Sequence, residues 1–397
     1  MTGLRAGLRA ALGSGARPGA FPPPPAALLE LEVDGPTALE RDDGADPSAL
    51  RIAAIVPSFR RGSGGHRTIV RILDELAGRG HAVSAWLEDG EGRHAQESAD
   101  VTKRSFEQFF AAENVPLEVS WEQWTGADMV LATGWQTVAR ALLLPRCGGR
   151  AYLVQDHEPE FYGASAEALW AADSYRRGLH CIAASEWLAE LLRGRYGATA
   201  SHFDLGVEPS EYPAPTAARR DDLVVFYARA VTPRRGVPLG LLALDELARR
   251  RPDVEIVLYG EDRGLQASFP HRDAGVLDAS GLASLYAQAT VGMVLSLTNP
   301  SLINLEMMAC GLPCVELASE SMLDTFGDGG PLQLSAPTPL ALCAAIEALL
   351  DDPARRAALA SDGVALAGRR GWPQAARQVE AGLRFACGTD PAAPRPA

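Results

Sequence analysis

Short apolar runs alternate along the chain with stretches whose apolar residues recur at helical spacing, and the alternation occurs in two successive blocks. Residues 51–57 (Arg-Ile-Ala-Ala-Ile-Val-Pro) form an apolar run closed by a turn, which predicts a buried strand. A glycine-rich loop follows, then a helical pattern over 68–79 stopped by Gly80, then a second apolar run at 81–87. The spacing next predicts strands at 128–133, 150–155 and 180–184, with helices at 136–144, 166–178 and 186–196. A proline-rich stretch, 206–216, reads as a linker. The second block predicts strands at 223–227, 254–259, 291–296 and 313–317. Its helices fall at 239–250, 282–288, 302–310 and 339–350, with a terminal helix at 372–385.

Strands alternating with helices imply parallel sheets covered on both faces. The expected fold class is therefore α/β, with two doubly wound Rossmann-like domains and a cleft between them. The expected division is an N-terminal arm at 1–49, a first domain at 50–215, a second at 216–370 and a terminal helix and tail at 371–397. The arm is rich in Pro, Ala and Gly, including Phe21 followed by Pro22 to Pro25. It reads as irregular, with little helix or strand potential before the apolar patch Leu28 to Leu31. In open sheets of this kind ligands bind beyond the carboxyl ends of the strands, so the chemistry is expected on the loops that follow them.

Composition narrows the function. A length of 397 residues suits two cores. The net charge of −13 repels nucleic-acid phosphates, which argues against a broad nucleic-acid-binding surface. The six cysteines form no Cys-x-x-Cys pair and no zinc-type spacing, and most lie in apolar runs, so buried reduced thiols of a cytoplasmic protein are expected. No signal peptide and no span-length apolar run is visible; association of a helix face with a membrane surface needs neither and stays open.

Five loops concentrate polar residues. In Gly62-Ser63-Gly64-Gly65-His66 the glycines before a helix start let the backbone approach an anion, or simply make a tight turn; neither a Walker loop nor a GxGxxG fingerprint is present. After 150–155 comes Gln155-Asp156-His157-Glu158, where Asp156 or His157 would hydrogen-bond sugar hydroxyls or assist proton transfer; a solvated loop is the plain alternative. Arg229, Arg234 and Arg235 follow 223–227, and guanidinium groups there suit a diphosphate, although arginines are common across this surface. Gly260 and Glu261 follow the 254–259 strand. The sharpest pattern is Ser296-Leu297-Thr298-Asn299-Pro300-Ser301 leading into Leu302-Ile303-Asn304-Leu305-Glu306. Ser301 is placed as the N-cap of an apolar helix, whose free amides attract anions. Glu306 inside that helix needs partners, which a ribose diol would supply; a partly exposed helix face is the alternative.

These segments resemble the retaining GT-B glycosyltransferases of family 4, and most closely the bacterial rhamnosyltransferases of surface-glycan synthesis, over about residues 50–385. The resemblance implies that Arg229 and Arg235 grip the donor diphosphate, with Arg in the second position where Lys is usual. It implies that Glu306 binds the nucleotide ribose, that Ser301, Leu302 and Ile303 present backbone to the donor, and that Gly64 and Gly65 form the glycine loop beside it. Gly260 and Glu261 fall where the base pocket begins, and Asp156 and His157 where the first domain serves the reacting sugar. Thr298 and Asn299 belong to the same donor loop. Thr298 stands where the family has a second glutamate that reads hexose hydroxyls; its absence argues against glucose- or mannose-type donors and is compatible with a 6-deoxy sugar.

The function implied is transfer of a sugar, best matched by L-rhamnose from dTDP-L-rhamnose, to a glycan or lipid-linked glycan with retention. The reaction would need neither metal nor cofactor beyond the nucleotide-sugar co-substrate, and would take place in the cytoplasm or at the inner membrane face. A donor carrying UDP or GDP is one alternative. Another GT-B chemistry, a sugar-nucleotide epimerase or a glycogen-type phosphorylase, is a rival; the phosphorylase would need a pyridoxal lysine, and Lys103, the sole lysine, is poorly placed for it. A non-catalytic glycan-binding or scaffold partner is the alternative from another class.

Overall fold

The alternation of buried positions is visible strand by strand. In β1 (Arg51–Pro57) Ile52, Ala54 and Val56 enter one apolar cluster, while Ala53 and Ile55 enter another. In β8 (Leu223–Tyr227) Leu223 and Val225 face one way and Val224 and Phe226 the other. Both sheets are thus buried on two faces, as side chains of period two require when helices cover each side. The computed structural model describes residues 26–41, 46, 48–215 and 218–388.

The first sheet adds β2 (Ala82–Glu88), β3 (Leu117–Glu118), β4 (Ala127–Ala132), β5 (Cys147–Val154), β6 (His180–Ala183) and β7 (Ala200–His202). Its order is β3-β2-β1-β4-β5-β6-β7, and its pairs are parallel. The second sheet adds β9 (Glu255–Tyr259), β10 (Arg272–Asp273), β11 (Val291–Met293), β12 (Cys314–Leu317) and β13 (Gln333–Ser335). It runs β10-β9-β8-β11-β12-β13, also parallel. Each order reverses once, between β1 and β4 and between β8 and β11. At such a switch point the loops diverge and open a crevice for ligands.

Two chain crossings join the halves side by side. The segment after β7 bonds to the return crossing through Val207 N–H to the Arg370 carbonyl, 2.8 Å. Gly206 permits that approach, since a Cβ there would lie 2.7 Å from the Trp372 ring. The Trp372–Cys387 helix then packs back on the first sheet and on the Gly64–Gly78 helix. Glu380 on it pairs with Arg79 at 2.5 Å and with His81 at 3.3 Å.

The segment expected to be irregular contains the helix Ala26–Asp34. Ala27 and Leu31 bury one side of it against the Trp135–Leu143 helix, so packing rather than intrinsic pattern holds it. The rest of that expectation, residues 1–25, lies outside the described residues. The expected strand at 291–296 is shorter: pairing ends at Met293, and the chain leaves the sheet to form the polar loop. Five cysteines are buried and Cys387 is half-buried; all six are free thiols.

Candidate active site

A cleft of about 820 Å³ separates the carboxyl ends of the two sheets. Gly64, Gly65 and Asp156 line it from the first domain; Arg229, Arg235, Gly260, Ser301, Leu302, Ile303 and Glu306 line it from the second. Most of the residues singled out from sequence therefore meet in one place.

The floor on the second-domain side is the start of the Leu302–Ala309 helix. Ser301 caps it, its hydroxyl accepting from Ile303 N–H at 3.3 Å, and Asn304 Oδ1 returns the bond to Ser301 N–H at 3.1 Å. Asn304 is in turn held by Glu316, whose Oε2 accepts from its amide at 3.2 Å. Glu316 Oε1 accepts from Ser296 N–H and Leu317 N–H, both 2.8 Å. Burial pushes the Glu316 carboxyl up to about 7. This braced turn places the start of the helix, Ser301 to Ile303, in the wall of the cleft, where the helix dipole favours an anion.

Two arginines flank the helix start. Arg235 donates to Ser296 Oγ at 2.8 Å, and Arg229 to the Gly260 carbonyl at 3.4 Å. Neither has a carboxylate partner among the described residues, so their charge remains for a ligand. The first domain closes on Arg229 at Gly62, where φ is +76° and an added Cβ would stand 3.2 Å from Nη1. Glu261 is directed to its own loop, accepting from Val231 N–H at 3.3 Å, and does not line the cleft.

Glu306 is 2% exposed, which removes the partly exposed helix face as its setting. Its Oε1 accepts from the Tyr212 hydroxyl at 2.9 Å and from Arg67 Nη1 at 3.2 Å. Arg67 also donates to Tyr212 at 3.1 Å and to Glu211 at 2.6 Å, and Arg71 pairs with Glu211. Oε2 is buried and has no hydrogen-bond partner among the described residues. Burial pushes the Glu306 carboxyl up to about 7, against the pull of Arg67.

The first-domain loop is arranged differently from the expectation. Asp156 reaches the cleft, but its Oδ1 accepts from His157 N–H and Asn299 N–H, both 2.9 Å, and its Oδ2 meets Arg234 Nε at 3.0 Å. Arg234 itself lies 3.9 Å over the Phe161 ring. His157 is directed into the first domain, with Nε2 2.6 Å from the Tyr196 hydroxyl and Nδ1 2.9 Å from Glu160. It does not line the cleft, and burial lowers its pKa, so it sits neutral in a packed aromatic setting.

Thr298 and Asn299 also do not line the cleft. Thr298 is buried and its carbonyl accepts from Ser321 Oγ at 2.6 Å. The Asn299 amide donates to the carbonyls of Gln155 and Ala184, both 3.1 Å, and its Oδ1 accepts from Ser185 Oγ at 2.8 Å. Asn299 is thus a latch from the second domain into the first.

Three residues of the site were not singled out: Arg67, Tyr212 and Glu158. Arg67 carried one signal, a cation in the first turn of a helix, where the macrodipole disfavours it. Glu158 lines the cleft with both oxygens engaged, by Trp135 N–H at 2.7 Å and the Tyr152 hydroxyl at 2.8 Å. Among the described residues no group of three His, Cys, Asp or Glu side chains is placed to hold a metal ion, and no helix is long and apolar enough to cross a membrane.

Comparison with known proteins fits this geometry. Residues 222–346 match the family described as WsaF, C-terminal domain. Over 277 residues, 67% of this chain, the sequence is 31% identical to the O-antigen biosynthesis protein RfbC of Myxococcus xanthus; the match spans about a fifth (21%) of that relative's length. Among solved structures, a sucrose-phosphate synthase from Thermosynechococcus elongatus superposes with a TM-score of 0.66 at 17% identity, over 86% of this chain and 100% of that one. Anabaena HepE in complex with UDP and glucose gives 0.64 at 17% identity, over 84% and 99%. WaaG, a glycosyltransferase involved in lipopolysaccharide biosynthesis, gives 0.58 at 13% identity, over 84% and 99%. The fold is GT-B. In GT-B terms the cleft lies between the two Rossmann-like domains, and Arg229, Arg235 and the Leu302–Ala309 helix belong to the second of them.

Proposed function

We propose that the chain is a glycosyltransferase that carries a sugar from a nucleotide-sugar donor to a glycan acceptor in surface-polysaccharide synthesis. One observation carries the reading. A buried carboxylate with an unpartnered oxygen, two arginines without carboxylate partners and a braced helix N-terminus all line one interdomain cleft. A nucleoside diphosphate presents the matching groups, a pentose hydroxyl and two phosphates. When the glycosidic phosphate bond breaks, negative charge grows on the leaving diphosphate. Arg229, Arg235 and the helix amides would stabilise it without reorganising. HepE, with UDP and glucose, and RfbC, named for O-antigen biosynthesis, support the donor class and the pathway.

The finer reading is L-rhamnose donated from dTDP-L-rhamnose with retention, to a glycan or lipid-linked glycan acceptor, without metal or cofactor. It rests on the family resemblance and on Thr298 in place of a hexose-reading glutamate. An inner-membrane-face location belongs to the same reading. A second reading, a non-catalytic glycan-binding partner, draws on the engagement of Asp156 in the interdomain contact and the inward turn of His157.

Ligand that binds only the folded form raises the melting temperature, so a panel of nucleotide sugars followed by turnover assays separates these readings. The expected result is stabilisation by dTDP-L-rhamnose and release of dTDP on adding a glycan acceptor. Stabilisation by UDP- or GDP-sugars alone discards rhamnose and keeps the class. Stabilisation without turnover selects the binding partner, and no stabilisation by any nucleotide sugar removes the donor site.

A further inference from the structure

Ser63 opens the Gly64–Gly78 helix, a position where a serine ordinarily turns its oxygen to a helix N–H; here it makes no cap bond. Its Oγ lies 2.8 Å from Nδ1 of His66, and the other ring nitrogen, Nε2, lies 3.0 Å from the Pro57 carbonyl. The carbonyl fixes the direction of both bonds. It can only accept, so Nε2 carries the imidazole proton. A neutral imidazole has one N–H, so Nδ1 is bare and accepts, and the Ser63 hydroxyl must donate. The ring stays neutral, because it is stacked on Phe110 at 5.4 Å between centroids and burial lowers its pKa to about 4. The hydrogen of Ser63 is thus committed to the protein, while its oxygen makes no other hydrogen bond among the described residues.

Ser63 is half-buried in the first-domain wall of the cleft, next to the Gly62 that abuts Arg229. An oxygen with no hydrogen to give repels another lone pair. Phosphate oxygens gain nothing from it, and neither does the carboxylate of an acidic sugar. A neutral sugar hydroxyl, which brings its own hydrogen, is the matching group. We propose that His66 fixes Ser63 as a hydrogen-bond acceptor for a sugar hydroxyl, so that this side chain reads the carbohydrate and not the diphosphate. The inference rests on the cleft binding a nucleotide sugar, as proposed above, but not on which nucleoside or which sugar. Ser63 meets the ligand; His66 acts through Ser63 and is a positioning residue. The hydroxyl belongs either to the sugar being transferred or to the glycan that receives it, and both bring the same chemistry.

The test is calorimetric titration of the full chain with dTDP and dTDP-L-rhamnose, and with UDP and UDP-glucose. Ligand-observed NMR of the nucleotide-saturated protein with methyl α-L-rhamnoside and methyl α-D-glucoside then stands in for the receiving glycan. Ser63→Ala should leave dTDP and UDP binding unchanged. It should weaken, by about fivefold, either the nucleotide sugar, which names the transferred sugar as the source, or the methyl glycoside, which names the receiving glycan. His66→Leu frees the Ser63 hydrogen, so it should weaken the same ligand, and adding it to Ser63→Ala should cost that ligand nothing more; a merely structural role for His66 would add to the loss. Weaker binding of dTDP or UDP themselves in folded Ser63→Ala overturns the proposal, since the hydroxyl would then be donating to phosphate. Unchanged binding of every sugar ligand overturns it as well. Should Ser63→Ala not fold, Ser63→Gly, which an N-cap tolerates, must give the expected result or the proposal fails. Failure of the folded wild type to bind any nucleotide or nucleotide sugar removes the donor site instead.

Discussion

Glu158 in the first domain and Glu306 in the second are alike in burial and in the direction of their pKa, and differ in how their oxygens are filled. Both are buried, at 5% and 2% exposure, both lie in the wall of the cleft, and burial pushes both carboxyls up to about 7. Glu158 is closed: Trp135 N–H and the Tyr152 hydroxyl take its two oxygens, and its own N–H donates to the Tyr175 hydroxyl at 3.0 Å, which in turn donates to the Asp156 carbonyl at 3.2 Å. In Glu306 one buried oxygen has no hydrogen-bond partner among the described residues. A raised pKa therefore does not by itself tell the two apart; the unpartnered oxygen does. The closed carboxylate fastens a helix start to a strand-end loop, and the other is the one proposed to meet a donor.

The sharpest way to break this contrast is to remove each carboxylate and measure stability and binding together. Glu158→Ala leaves a backbone donor and a phenol without an acceptor in a dry site, and is expected to cost about 3 kcal/mol in denaturant unfolding. Glu306→Gln retains shape and leaves Arg67 paired with Glu211, so stability is expected to stay within about 1 kcal/mol, while stabilisation by nucleotide is lost. The reverse pattern, with Glu306→Gln unfolding the chain and Glu158→Ala abolishing ligand binding in folded protein, would exchange the two roles.

The same contrast explains what was legible in the sequence. The long apolar strands and the ionic residue inside an apolar helix are local signals, so β1, β8 and Glu306 stand out. Two-residue edge strands such as β3 and β10 carry too few positions for a period, and the Ala26–Asp34 helix is held by a partner more than a hundred residues away in the chain. The partners of Glu306 lie 94 and 239 residues from it, and those of Asn299 lie 114, 115 and 144 away. No pattern along the chain encodes those distances. Sequence reading found the polar loop at 296–301 but not its division of labour: Ser301 faces the cleft, while Asn299 fastens the domains.

That division predicts the second largest effect. Asn299→Ala removes the hydrogen bonds to Gln155, Ala184 and Ser185 and leaves the Ser185 hydroxyl and two carbonyls to find other partners. A loss of about 2 kcal/mol is expected, with a larger radius of gyration in small-angle scattering as the interdomain contact loosens. An unchanged scattering curve with weakened nucleotide binding would return Asn299 to the donor site.

The smallest effect is a slope. Because burial moves the Glu306 carboxyl from the ordinary 4.5 up to about 7, the folded chain holds a proton between those values that the unfolded chain has released. The stability contributed by this group is complete below about pH 4.5 and is lost as pH rises through 7. Glu158 and Glu316 act with the same sign, so the chain should unfold more easily at pH 8 than at pH 5.5 as far as these three groups decide it. Glu306→Gln should flatten that fall by at most about 1.4 kcal/mol per pH unit, the ceiling for one proton. Nucleotide affinity should run the other way, because the pentose hydroxyl needs the ionised oxygen. The Glu306-dependent part of binding is expected to grow up to pH 7 and to be absent in the glutamine variant, whose remaining pH dependence belongs to the phosphates. A stability slope that Glu306→Gln leaves unaltered would mean that the unpartnered oxygen is already ionised and solvated, and the distinction between the two carboxylates would then rest on geometry alone.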